Sequence, residues 1–240
     1  MSAKAEYKQY IENVLDDTLE KQMGAMTKAS HLVKEAIKNE GRFYVFGTGH
    51  SHMIAEEIYN RAGGLALVSA ILEPSLMLHE QPNKSTYLER LDGYGEVLLK
   101  INNVSKQDVL MIISNSGRNP VPVEMALKAK EMGCNVIAMT SLTHSSQVSS
   151  RHTSGKRLFE IADVVLDNGS AFGDAAFTLE GLENPIGPTS TLVGVAMAHM
   201  LIIGTVEGLI QDGHEPPVFR SSNVDGADEY NNKLFERYVK

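Results

Sequence analysis

The stretch "FYVFGTGHSH", residues 43–52, sets an apolar run directly against two glycines, a serine and two histidines. A short, nearly continuous apolar run ending in a glycine turn reads as a strand buried on both faces. Gly47 and Gly49 then permit tight backbone geometry and let amide groups approach a ligand closely. Ser51 stands where the next helix begins, placed to cap it or to offer its hydroxyl to an anion held there. A dinucleotide fingerprint would need a third glycine where His52 stands, and an acidic residue closing the next run. That run, "LALVSA" (65–70), ends in Ser69 and Ala70. The Gly-Lys-Ser/Thr of a P-loop is absent as well. The loop points to an anion of another kind.

Outward from this stretch the chain alternates between apolar runs and helical patterns. The runs are 42–47, 65–70, 108–114, 135–141 and 162–167, rich in Val, Ile and Leu. Helical spacing fills about 52–61, 93–103, 119–132 and 190–211. A long helix over 5–38, weakened near Gly24, precedes them all. Strands separated by helices imply right-handed βαβ units, and hence a three-layer, doubly wound α/β sheet of about five parallel strands. No linker or repeat interrupts it, so residues 1–240 read as one domain, with a core over about 35–215 and a tail with a helix over 212–240.

In such sheets ligands bind beyond the carboxyl ends of the strands. The third run ends in "ISNSGRNP", where Ser114, Asn115, Ser116, Gly117, Arg118 and Asn119 lead to Pro120 at a helix start, a second anion nest. The fourth ends in "MTSLTHSSQ", which contributes Ser141. "GPTST", residues 187–191, brings Ser190 and Thr191 to the start of the apolar helix. Hydroxyls clustered at four element ends describe a pocket for a polyhydroxylated, phosphorylated molecule.

Composition narrows the classes. A formal charge of −8 leaves no basic surplus to neutralise nucleic-acid phosphates. The single cysteine, Cys134, begins an apolar run and reads as a small core residue in a reduced, cytoplasmic setting. The apolar stretch 192–210 contains His199 and Glu207 and reads as a buried core helix rather than a membrane span. His50 and His52 lie two apart, while His79, His144 and His152 are scattered, so no spacing demands a metal. Neither a metal nor an organic cofactor is expected.

These motifs resemble the sugar isomerase (SIS) domain family: "GTGHS" after the first strand, "SNSG" after the third and "PTST" at the last core helix. The whole chain, with "NRAGG", "LMLHE" and "PPVFRSSNVDG", resembles a group of stand-alone bacterial SIS proteins of phosphoheptose isomerase type. The resemblance implies a five-stranded parallel sheet and phosphosugar binding, with Ser51, Ser114, Ser116 and Thr191 in the phosphate-holding positions. It also implies a homodimer or higher homo-oligomer.

Aldose–ketose chemistry needs a base to remove and return the proton beside the carbonyl. Phosphoheptose isomerases and the related sugar etherase carry a glutamate near the end of the helix after the first glycine loop. Counting on from Ser51 places Asn60 and Arg61 there instead, with Glu56 and Glu57 earlier. The loop after the second run offers Glu80 and His79 first and Glu73 next; His50 and the tail pair His214 and Glu215 stand behind them. Arg151, His152 and Lys156 belong to a basic segment that either reaches the pocket or is solvated. Two functions are therefore open: an isomerase or related lyase acting on a sugar phosphate or aminosugar phosphate, and a non-catalytic phosphosugar sensor. SIS sensors carry a DNA-binding module ahead of the domain, where this chain shows one long helix.

Overall fold

The computed structural model describes residues 2–81 and 83–239. The central runs form β1 (Phe43–Gly47), β3 (Val109–Ile113) and β4 (Asn135–Thr140), flanked by β2 (Val68–Ile71) and β5 (Val164–Asp167). Every pairing is parallel, in the order β2-β1-β3-β4-β5, with Phe46 opposite Ile112 and Ile112 opposite Ala138. Successive side chains enter opposite cores. Phe43, Val45, Met111, Ile137 and Met139 face one, whereas Tyr44, Phe46, Leu110, Ile112 and Ala138 face the other. Burial on both faces is why these runs are continuously apolar rather than alternating. Each large side chain buried here contributes about 1.5–3 kcal/mol.

The first core is closed by α1 (Ala3–Lys38), α2 (His52–Ile58) and α7 (Ser190–Gln211). The second lies under α4 (Tyr94–Ile101) and α5 (Pro120–Glu131). The remaining elements are α3 (Lys84–Leu88), α6 (Leu142–Ser145), a hairpin of β6 (Ala175–Phe177) and β7 (Ile186–Pro188), and α8 (Ala227–Tyr238). Helix α7 is long and apolar enough to cross a membrane by length and composition. Its line Val193, Met197, Leu201, Thr205 and Leu209 is nevertheless buried, part of it in the core beneath the sheet. Close approach to α1 is possible because Gly204 stands opposite Ser30, where a Cβ would lie 2.7 Å from the Ser30 Oγ. That hydroxyl donates to the Leu201 carbonyl across the helix pair.

Three boundaries differ from the sequence expectation. Helix α1 runs unbroken through Gly24, whose cost of about 1 kcal/mol is small beside the packing of α1 on α7. The run 65–70 begins as something other than strand: Leu65 bridges Val218 antiparallel, and Ala66 N–H donates to the Pro217 carbonyl at 2.8 Å. The tail thus captures the first half of that run, and the parallel strand starts only at Val68. Helix α2 stops at Ile58, before Asn60, which adopts a left-handed φ of 45°. The position where a helix glutamate was expected is therefore outside the helix.

Candidate functional site

The strand order places the switch point between β1 and β3, whose carboxyl ends diverge into the loops 47–52 and 114–119. The first loop curls back on its own strand. A Cβ at Gly47 would lie 2.6 Å from the carbonyl carbon and oxygen of Ser51, so only glycine permits this fold. Buried His52 fastens the turn, its Nδ1 bonded to the Gly49 carbonyl oxygen and its ring edge-on to His79 at 5.5 Å. The N–H groups of Thr48, Gly49 and His50, and the Ser51 hydroxyl, have no partner among the described residues. His50 is exposed.

The second loop turns at Gly117, whose φ is 57°. Ser114 is buried, and its Oγ accepts from the Gly117 N–H at 3.2 Å. Asn115 is a strut: its Oδ1 accepts from Asn168 and Ser170, and its carbonyl accepts from Ser141 N–H and Thr140 Oγ1. The N–H groups of Ser116, Arg118 and Asn119 and the Ser116 hydroxyl find no acceptor or donor among the described residues. Helix α5 itself adds little direct donation, because Pro120 and Pro122 lack N–H groups and Val121 N–H donates to the Glu89 carbonyl at 3.1 Å. Buried polar groups are normally satisfied. Two such turns, with unpaired amides and a free hydroxyl each, offer the kind of donors that an oxyanion accepts from.

One carboxylate joins the two loops, and sequence reasoning missed it. Glu89, just past α3, accepts from Thr48 Oγ1 at 2.7 Å and from the Asn119 side chain. Burial pushes its carboxyl above the ordinary value, despite these hydrogen bonds and the positive charges of Arg90 and Arg151. Asn119 in turn accepts from Arg151 Nη1 at 2.8 Å. The result is a chain Arg151–Asn119–Glu89–Thr48 across the switch point. The only sequence signal for Glu89 was its place in the long connection between β2 and α4, among several other carboxylates.

The residues expected to supply the base lie nearby but are otherwise engaged. Glu80 is exposed and ion-paired with Lys84. His79 is exposed, with Nε2 3.0 Å from the Met77 sulfur. Glu73 accepts from Ser75 N–H at 3.1 Å and Oγ at 2.7 Å. Burial alone would raise the Glu73 carboxyl, but the Ser75 and Tyr94 hydrogen bonds outweigh it, so Glu73 lies below its ordinary value.

Ser141 is fully buried, donating to the Ser170 carbonyl and capping α6 through His144 N–H. At the start of α7, Asp174 takes the place an anion would occupy, accepting from Thr189 N–H, Ser190 N–H and Ser190 Oγ at 3.1, 2.9 and 2.6 Å. Thr191 is half-buried beside it. His199 contacts Glu57 at 3.2 Å on the α2–α7 surface. His214 and Glu215 line a cavity with Arg42 and Leu67, which precede β1 and β2, at the opposite edge of the sheet. His152 and Lys156 form no hydrogen bond with either loop, whereas Arg151 does. Burial, first among the causes, pushes the Cys134 thiol up to about 12, as befits a core residue rather than a nucleophile. Among the described residues no three His, Cys, Asp or Glu side chains group to hold a metal ion.

Comparison with known proteins gives these observations a family. The SIS domain model matches residues 6–141. UPF0309 protein BH3325 of Halalkalibacterium halodurans is 59% identical over 239 residues, covering 100% of this chain and 99% of the relative. Among solved structures, the phosphoheptose isomerase GmhA of Neisseria gonorrhoeae superposes with a TM-score of 0.56 at 16% identity, over 85% of this chain and 96% of that one. A phosphoheptose isomerase from Francisella tularensis gives 0.54 at 17%, over 86% and 100%. At such identities the structural likeness speaks for the fold alone. With a matching family model over more than half its length, a full-length relative and this sheet order, the chain belongs to the SIS domain family.

Proposed function

We propose that this protein binds a phosphorylated sugar or aminosugar and interconverts its aldose and ketose forms, with Glu89 as the base. Membership of the SIS domain family and the two amide-and-hydroxyl turns support the phosphate. The observation that carries the chemistry is the Glu89 carboxylate, held between those turns by Thr48 and Asn119. A carboxyl raised by burial stays a competent proton acceptor yet binds the proton well enough to return it. Glu89 takes the proton from the carbon beside the carbonyl, leaving an enediolate; the hydroxyl proton passes from one oxygen of the enediolate to the other, and the same carboxyl delivers its proton to the former carbonyl carbon. In this reading Gly47, Gly49, Ser51, Ser114 and Ser116 shape the phosphate end, while Asn115 and Ser141 brace the second loop from behind. A cytoplasmic setting goes with a metabolic sugar phosphate and with Cys134 as a buried thiol.

Ser116→Ala tests the phosphate assignment. A hydrogen bond to a charged group is worth about 1.5–3 kcal/mol, so the variant binds a sugar phosphate at least about tenfold more weakly by calorimetry. Its affinity for the unphosphorylated sugar stays the same. Equal losses for both would contradict the placement.

We further propose a homodimer through the α1–α7 face. Met23, Ile203 and Ile210 are 53%, 66% and 60% exposed there, beside a groove of about 360 Å³ between the two helices. Light scattering should give twice the chain mass, and Ile203→Glu should give one chain mass with the fold retained by circular dichroism. A monomeric wild-type protein at micromolar concentration would remove this reading.

A further inference from the structure

Three arginines lie beside the switch point and act on one another electrostatically through Arg151. Arg118 belongs to the second loop, Arg90 follows Glu89 directly, and Arg151 comes from the segment after α6. The Arg151 position is fixed rather than incidental: its N–H donates to the Arg118 carbonyl at 2.8 Å and its Nη1 to Asn119. The segment is pinned further along by Arg157, which donates to the carbonyls of Ser145, Ser146 and Val148. Among the described residues Arg118 Nε is buried with no hydrogen-bond partner, and its Nη2 reaches the Ser149 hydroxyl alone, at 3.5 Å. The Arg90 guanidinium has no partner among the described residues.

Among the described residues no arginine in this group forms a salt bridge, although Arg61 and Arg157 are each paired with a glutamate. Burial, then Arg118 and Arg90, lower Arg151 from its ordinary value, and burial followed by Arg118 lowers His144. Guanidinium remains charged throughout the working pH range. Glu89 is the one acidic neighbour that acts on Arg151. Three like charges held this close are an arrangement that a ligand anion completes.

The phosphate already has the amides and hydroxyls of the two turns. Arg90 and Arg151 act instead on Glu89, and Arg118, bonded to Ser149, acts on Arg151. We infer that the substrate carries a second oxyanion group, a carboxylate or a further phosphate, which Arg90, Arg118 and Arg151 receive at the mouth of the site. Planar forked donors match either group in a bidentate manner. This inference rests on the phosphosugar reading and narrows it to doubly anionic sugars.

Calorimetry at fixed ionic strength decides it with three probes: fructose 6-phosphate, fructose 1,6-bisphosphate and gluconate 6-phosphate. At least one doubly anionic probe should bind about 10- to 100-fold more tightly than the monophosphate, and whichever ranks first identifies the second group. Arg151→Gln should remove most of that advantage. Arg90→Gln, at an exposed side chain with no hydrogen-bond partner among the described residues, should reduce the same advantage while moving monophosphate affinity by less than about threefold. Equal affinity for all three probes would overturn the inference and leave the phosphosugar reading intact. A monophosphate loss as large as the loss for the doubly anionic probe would also overturn it, because the arginines would then hold the phosphate itself. Failure of every probe to bind would overturn both readings.

Discussion

Replacing Glu89 with glutamine lowers phosphosugar turnover by about 10²–10⁴-fold, the usual contribution of a positioned base, and leaves sugar phosphate binding within about threefold. Glutamine keeps the shape and can still accept from Thr48 and Asn119, so the two anion loops stay in register. What disappears is the capacity to take and return a proton. The raised Glu89 carboxyl also sets the pH profile. Activity requires its ionised form, so kcat/KM rises with pH along a limb lying above the ordinary glutamate value of about 4.3. Arg151 is among the charges that lower this carboxyl, so Arg151→Gln should move the limb to higher pH. The stability sign follows. A carboxyl raised in the folded state favours folding at low pH and loses that contribution as pH rises through its folded value. Glu89→Gln should therefore not lower the Tm at neutral pH. A variant with normal turnover would return attention to Glu73, His79 and Glu80. One that is inactive only because it is unfolded would show itself in the Tm.

Gly47→Ala has the next largest effect. The added methyl would lie 2.6 Å from two backbone atoms of Ser51 and 2.9 Å from the His52 nitrogen. None of these belongs to a flexible side chain, so the turn itself has to lift. Overpacking of this kind costs about 1–3 kcal/mol in stability. Displacing a binding loop by about 1 Å costs about 10²-fold in function. Gly24→Ala makes the informative counterpart: nothing lies within 4 Å of a Cβ in the middle of α1, so it should be neutral or stabilising by up to about 1 kcal/mol. Unchanged sugar phosphate affinity in Gly47→Ala would mean that the first loop does not hold the ligand.

Why these outcomes hinge on Glu89 rather than on residues visible earlier is a matter of what burial reveals. The strands β1, β3 and β4 were legible because both faces are buried, which forces nearly continuous apolar side chains, aromatic in β1 and aliphatic in β3. The two turns were legible because their glycines and serines answer to backbone geometry. The half-run 65–67 misled because capture by the tail at Val218 requires the same apolar residues as a strand does. The three-residue strands β6 and β7 are too short for any period to show. Asp174 at the head of α7, with a φ of 75°, is a tertiary partner that local sequence cannot announce. Glu73, Glu80 and Glu89 share one connection and one side-chain chemistry. Folding separates them: Ser75 holds the first, Lys84 neutralises the second at the surface, and Thr48 and Asn119 draw the third between the two glycine turns.

Proton abstraction from a bound sugar phosphate leaves a mark that proton NMR in deuterium oxide reads. Wild-type protein incubated with a sugar phosphate that it binds should exchange the proton on the carbon beside the carbonyl for solvent deuterium, and Glu89→Gln should abolish that exchange while binding persists. Tight binding of several sugar phosphates with no deuterium entering any of them would contradict the claim and identify the protein as a phosphosugar sensor.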